Sequence, residues 1–263
     1  MLRYFAVVAV GLLIGAVGQA ADKTGPVTIR WHGQSFFEII SSKGTRIVTD
    51  PHNLEAFPVP EDIRADLITM SHTHDDHSFV SSVQNHREAK TLAGWVVRGK
   101  TLDWNPIDQD FRDVHVKTVG TYHDDSKGAE RGKNTVFIFD VDGMRIVHLG
   151  DLGHLLNDAQ LKAIGKVDVL MIPVGGVFTI NGDEAKKVVN QIKPSKYILP
   201  MHYGTKEFDI VQPPDEFLED QKPETIKRLK SNQLIVKPDF KPAQPIIVLM
   251  NWRDPSKAPK EEK

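Results

Sequence analysis

Short apolar or alternating runs, each bounded by polar, glycine or proline residues, recur along the chain. They predict strands over 27–31, 36–40, 45–49, 66–70, 114–119, 135–140, 144–148, 167–172, 197–199 and 246–250. Asp142-Gly143 falls between two of these runs and predicts a two-residue hairpin turn. Helical periodicity is confined to 158–164, 183–191 with Asp183 as N-cap, and 223–230. Strands first, then strands alternating with helices, predict an α/β domain of two packed sheets flanked by helices.

The first twenty residues follow another pattern. Arg3 gives a positive start, residues 5–17 an apolar core, and Gly18-Gln19-Ala20 a small-residue cleavage site. Residues 1–20 are therefore expected to be a secretory signal peptide, and the protein to be periplasmic or secreted. The apolar stretch falls short of the ~20 residues that a bilayer span requires, so no membrane span is expected after cleavage. The folded domain is expected over 21–253, followed by a charged, disordered tail over 254–263.

Composition narrows the chemistry. There is no cysteine, which removes disulfides, thiolate ligands and a cysteine nucleophile. Without the leader, which holds one arginine, 32 basic residues face 35 acidic ones, a net charge of about −3. A nuclease would be expected to carry a basic face, so the expected partner is a small-molecule substrate and not nucleic acid.

The candidate chemistry is concentrated in His72-Thr73-His74-Asp75-Asp76-His77, directly after the predicted strand 66–70. Neutral imidazole nitrogen is a favoured ligand for zinc and its neighbours, and carboxylate oxygen suits the same ions. The spacing H-x-H-x-D-H on a loop at a strand end reads as a metal site, held by a sheet yet open to substrate. Further along, His123, Asp151 and His202 also stand just after predicted strands, and Asp50-Pro51 follows the strand over 45–49.

Taken in order, these residues resemble the signature of the metallo-β-lactamase superfamily, and the resemblance runs from about Val27 to Ile247. It implies an αβ/βα sandwich of two mixed sheets flanked by helices, with the site at the rim between the sheets. It implies that His72, His74 and His123 hold one divalent ion, that Asp76, His77 and His202 hold a second, and that Asp151 bridges them. Two such ions share a hydroxide able to attack at neutral pH. Asp76 would orient that hydroxide and pass a proton to the leaving group. Zinc is the expected metal at both positions, with manganese or iron as alternatives.

Trp31-His32-Gly33-Gln34 and the stretch His148 to His154 resemble the branch that includes ascorbate-6-phosphate lactonase. That substrate is not carried over, because a phosphorylated sugar lactone belongs in the cytoplasm. The expected activity is hydrolysis of a lactone or ester, ahead of an amide or phosphodiester. The rivals are an iron-dependent oxidative enzyme of the same fold and a non-catalytic periplasmic metal-binding protein. In the di-iron electron-transfer branch the second histidine of the motif is typically Glu, whereas His74 stands here.

Other residues carry finer expectations. His154 is expected to touch substrate or donate to a developing oxyanion, with a purely structural loop histidine as the alternative. His148 either orients a ligand from behind or bonds the backbone, and Asp50 anchors the ligand loop. The loop 124–133 bears Lys127, Arg131 and Lys133 directly after His123 and could hold an anionic substrate group. Gly175-Gly176 either allows close backbone approach to a ligand or makes a turn. His32, His52, His86 and His115 read as structural.

Overall fold

The computed structural model describes residues 24–253, so the leader expected over 1–20 and the tail expected over 254–263 lie outside the described residues. The first sheet sets β1 (Val27–Trp31), β2 (Phe37–Ile40), β3 (Arg46–Thr49), β4 (Leu67–Met70) and β5 (Lys90–Ala93) side by side. A ribbon of β6 (Trp95–Arg98) and β7 (Thr101–Trp104) leads to the second sheet. That sheet takes β8 (Asp108–Phe111), β9 (Val114–Tyr122), β10 (Lys133–Val141), β11 (Met144–His148), β12 (Val169–Pro173), β13 (Tyr197–Met201) and β14 (Ile226–Arg228). Strand β15 (Gln233–Val236) returns to pair with β1, and β16 (Ile246–Leu249) inserts between β13 and β14.

Alternation explains why the sheets face each other. In β1, Val27, Ile29 and Trp31 are buried while Thr28 and Arg30 are only partly so. The inner faces meet in one cluster that joins Ile29, Phe37 and Ile47 of the first sheet to Val116, Phe137, Ile146 and Leu170 of the second. Each such side chain contributes roughly 1.5–3 kcal/mol by leaving water. The helix α1 (Asp75–Ser78) is a single turn in the ligand loop, and α2 (Asp158–Ile164) and α3 (Gly182–Ile192) flank the second sheet. Ala185, Val188 and Ile192 of α3 pack on the same core, and α4 (Asp215–Leu218) packs against α3. The two mixed sheets with flanking helices are the sandwich implied by the resemblance.

Strand direction then gathers the chemistry. Strands β3 and β4 are parallel, so Asp50 and Ser71 emerge at the same end. Strands β9, β10 and β11 alternate in direction, which makes β9 and β11 run the same way, and β12 and β13 are parallel to β11. The residues following β9, β11 and β13 therefore lie along one edge of the second sheet.

Local expectations meet tertiary structure at three places. Asp142 and Gly143 have φ of 50° and 72°, the doubly positive pair that a type I′ hairpin requires. The N-cap of α3 is Asn181 and not Asp183. The Asn181 side chain accepts the Glu184 N–H while the Glu184 carboxylate accepts the Asn181 N–H, and the cap lies two residues earlier than expected. The helix expected over 223–230 is replaced by one 3-10 turn and β14, because Ile226 to Arg228 pair in parallel with Ile247 to Leu249. Among the described residues no helix is long and apolar enough to cross a membrane.

Candidate metal centre

The first sheet supplies a contiguous ligand loop, braced from below by Asp50. This carboxylate is wholly buried, and its residue adopts a left-handed φ of 45°. Its Oδ1 accepts the Ser71 backbone N–H at 2.7 Å, and its Oδ2 accepts the Ser71 hydroxyl at 2.5 Å and His77 Nδ1–H at 2.9 Å. With its own proton given to Asp50, the Ser71 oxygen accepts Nδ1–H of His72 at 2.9 Å. Both histidines thereby place a proton on Nδ1 and turn Nε2 toward the other members of the cluster, the orientation in which imidazole can bind a metal.

The second sheet supplies three separate ligands. His123 follows β9, Asp151 follows β11 and His202 follows β13. The turn before Asp151 is fastened twice. His148 Nδ1 accepts the Gly150 N–H at 3.1 Å while its Nε2–H donates to Ser35 O at 2.9 Å, so His148 bonds backbone and also holds the Gly150-Asp151 turn. Asn134 Oδ1 accepts the Asp151 N–H at 3.0 Å, and its amide donates to Thr121 Oγ1 and Leu149 O, both at 2.8 Å. Gly150 sits at φ 55°, and a Cβ there would lie 2.4 Å from Asn134 Oδ1 and 2.6 Å from Ser71 Cβ, so only glycine lets the two sheets close here.

These seven residues converge. Around Asp151 Oδ2 lie the Nε2 atoms of His77 at 3.1 Å, His123 and His202 at 3.2 Å, and His72 at 3.8 Å. His72, His74 and His123 form one group, and Asp76, His77 and His202 a second, each with its ligating atoms within 4.8 Å of one another. Asp50, His72 and His77 also lie that close, but the Asp50 oxygens are already taken by Ser71 and His77 from behind.

The chemistry of this donor set fits divalent cations. Burial, then the neighbouring His77, depresses the pKa of His72, and burial depresses that of His74, which favours the neutral ring. Burial opposes charge on Asp151 and Asp76, but nearby imidazoles outweigh it, and both carboxyls stay below their ordinary range. Burial opposes charge on His77 too, yet Asp151 and Asp76 raise it well above the usual value. A divalent ion held here would take the place of that proton. His77 Nε2 stands close to Asp151 Oδ2 without the alignment of a hydrogen bond, and Asp151 Oδ1 is buried without a partner. Ligand atoms that share a cation instead of a proton are arranged in this way.

A cleft of about 340 Å³ opens over the group and is lined by His74, Asp76, His123, Asp151, His202, Arg131 and Phe178. His154 does not face it. Its Nε2 accepts the Tyr122 N–H at 3.0 Å and its Nδ1–H donates to Leu155 O at 2.7 Å, so neither nitrogen is left for a substrate or oxyanion. The expected catalytic role gives way to a structural one: this ring ties the Asp151 loop to the end of β9. Gly175 donates to His202 O at 3.0 Å, and a Cβ on it would lie 2.2 Å from that oxygen, so it admits the ligand-bearing strand end and not a ligand. Gln34 had no assigned role, but its Nε2 donates to Asp76 Oδ2 at 3.3 Å, and its own carbonyl accepts the His202 N–H at 3.2 Å. The Trp31-His32-Gly33-Gln34 segment marked the place without saying which residue it would reach, 42 positions later.

A fold of two mixed sheets with a His/Asp centre at their common rim defines a metal-dependent hydrolase of the metallo-β-lactamase type. A profile described as the β-lactamase superfamily domain matches residues 28–202, and the chain belongs to that superfamily. A UPF0173 metal-dependent hydrolase of Thermococcus onnurineus is 33% identical over 207 residues, spanning 73% of this chain and 90% of that protein. Its counterpart in Thermoplasma acidophilum is 30% identical across 70% of this chain and 85% of that one. A Thermotoga maritima structure assigned to the metallo-β-lactamase superfamily superposes with a TM-score of 0.64 at 35% identity. The match covers 85% of this chain and 98% of that one.

Proposed function

We propose that the protein is an exported hydrolase that cleaves the lactone or ester bond of a small molecule with two divalent ions, zinc first among candidates. The observation that supports this most is the crowding of four histidine Nε2 atoms around one oxygen of Asp151, with a complete three-residue group on each side. His72, His74 and His123 would hold one ion, and Asp76, His77 and His202 the other, with Asp151 between them. When bound, such a pair supplies Lewis acidity and draws a nucleophile from water at neutral pH.

The protein's own groups do the rest. Asp76 is held ionised, is fixed through Oδ2 by Gln34 and His77, and remains 32% exposed to the cleft. In this reading it would orient an attacking water and carry a proton to the leaving oxygen. Asp50 and Asn134 keep the ligands in register without touching substrate.

The test is turnover of lactone, ester, amide and phosphodiester probes by metal-loaded protein, alongside Asp76→Asn. Ester or lactone hydrolysis by the wild type that falls about 10²–10⁴-fold in the variant supports the assignment. Undiminished turnover in Asp76→Asn, or turnover of phosphodiesters alone, contradicts it.

A further inference from the structure

The cleft has two unlike walls. One is the ligand set, and the other is Arg131 and Phe178, neither of which can bind a metal. Arg131 is delivered by a loop wound around a single buried carboxylate. Asp124, next to His123, accepts backbone N–H groups from Ser126, Gly128, Glu130 and Arg131 at 2.7–3.1 Å. The Arg131 backbone is therefore fixed relative to His123, eight residues earlier.

Its contacts leave it available. It meets Glu130 and the Val177 carbonyl, both at 3.3 Å, and lies 5.9 Å from the centre of the Phe178 ring. Long, solvent-facing contacts of this kind hold a fork of five donors only weakly. The other cations of the loop are elsewhere. Lys133 Nζ is bound to Asp103 at 2.8 Å and Leu102 O at 3.1 Å and sits over the Trp104 ring, while Lys127 is exposed and does not line the cleft.

The facing segment is strained. Val177 has φ 61°, a left-handed conformation that a β-branched residue adopts at a steric disadvantage. In this conformation Val177 and Phe178 stand 51% and 40% exposed, and Phe178 lines the cleft. Strain of this kind clusters where a loop is shaped for a ligand, and Phe178 offers an apolar face to the cleft.

We propose that Arg131 and Phe178 form the specificity subsite of the cleft. Arg131 receives a carboxylate at the far end of the substrate, and Phe178 packs the apolar carbons that join it to the scissile bond. One guanidinium facing the cleft, with no second cation lining it among the described residues, matches a single planar carboxylate better than a phosphate. The substrate class is a lactone or ester of a small carboxylic acid with a hydrocarbon portion. This rests on the metal-centred hydrolytic reading above.

The experiment is calorimetric binding of three hydroxamates to zinc-loaded protein. Acetohydroxamic acid, succinic acid monohydroxamate and 2-benzylsuccinic acid monohydroxamate share one metal-chelating head. The readout is the ratio of their affinities, in which any general change in the metal centre cancels. In the wild type the added carboxylate should tighten binding about tenfold, the scale of one charge-assisted pair. That gain should vanish in Arg131→Gln and return in part in Arg131→Lys, while the benzyl group's further gain should be lost in Phe178→Ala. Equal wild-type affinities for the first two compounds, or the same gain in Arg131→Gln, would overturn the subsite and leave the metal centre standing. Failure of all three to bind would overturn both.

Discussion

The two sheets build their halves of the centre in different ways. The first contributes four candidate ligands from one six-residue loop, and a single buried carboxylate, Asp50, reaches two of its elements, the Ser71 strand end and the His77 ring. The second contributes three ligands spread from His123 to His202, each at the end of its own strand and positioned by sheet register. The centre is therefore vulnerable in two distinct ways. A change at the brace of the first half should disturb several ligands together, whereas a change at a clasp of the second should be felt by one.

The largest effect should come from Asp50→Ala. It strands the Ser71 N–H and the His77 Nδ1–H in a fully buried place, and removing one partner of a buried charged contact typically costs about 3–5 kcal/mol. Urea unfolding should show that loss, and metal analysis should show both ion positions depleted. A metal content equal to wild type would break the idea of a shared brace.

Asn134→Ala comes next. It removes the clasp on Asp151 together with bonds to Thr121 and Leu149, at roughly 1–3 kcal/mol for buried groups left unpaired. Metal affinity should weaken about 10–100-fold, the usual consequence of losing a ligand's supporting bond. Affinity titrations that show a larger loss here than in Asp50→Ala would reverse the comparison.

Acid should weaken the first half through His52, two residues beyond the brace. It is fully buried between Phe36 and Phe57, and burial lowers its pKa from 6.5 to about 4. The folded protein keeps the ring neutral while the unfolded chain takes up a proton. The stability from this group is therefore complete above pH 6.5 and is lost as pH falls toward 4. Between pH 7 and pH 5 the loss should be roughly 2 kcal/mol. His52→Gln should flatten that slope in denaturation curves, and an unchanged slope would assign the acid sensitivity elsewhere, with buried His148 of the second half the next candidate.

The smallest effect belongs to Lys133→Ala, outside both halves. Its pair with Asp103 is open to solvent, which screens it and leaves it little weight in stability. It should shift neither metal content nor the hydroxamate ratio, and a shift in that ratio would return the loop's second cation to the substrate.

The same contrast explains what the sequence disclosed. The loop from His72 to His77 was legible because its spacing is local and its strand is a plain apolar run. The ligands of the second half were legible only in order, through the resemblance, since nothing near His123 states that it meets His202. Edge elements were hidden. Strand β8 exposes Asp108, Gln109 and Asp110, and β14 exposes Lys227 and Arg228, so neither shows the alternation of a half-buried strand. Their conformation is imposed by a neighbour, as the pairing of Ile226 with Ile247 imposes β14 on a segment that begins like a helix. His154 misled by adjacency. It lies three residues from Asp151, but Gly153 donates to Tyr122 O and turns the chain away from the cleft.

Metal stoichiometry tests the centre most directly. Elemental analysis should find about two divalent ions per wild-type chain, with zinc foremost, and about one in each of His74→Ala and His202→Ala. Those two variants should empty different positions, so the double variant should hold almost none. A wild type that binds no ion after reconstitution, or a double variant that keeps two, would contradict the paired centre around Asp151.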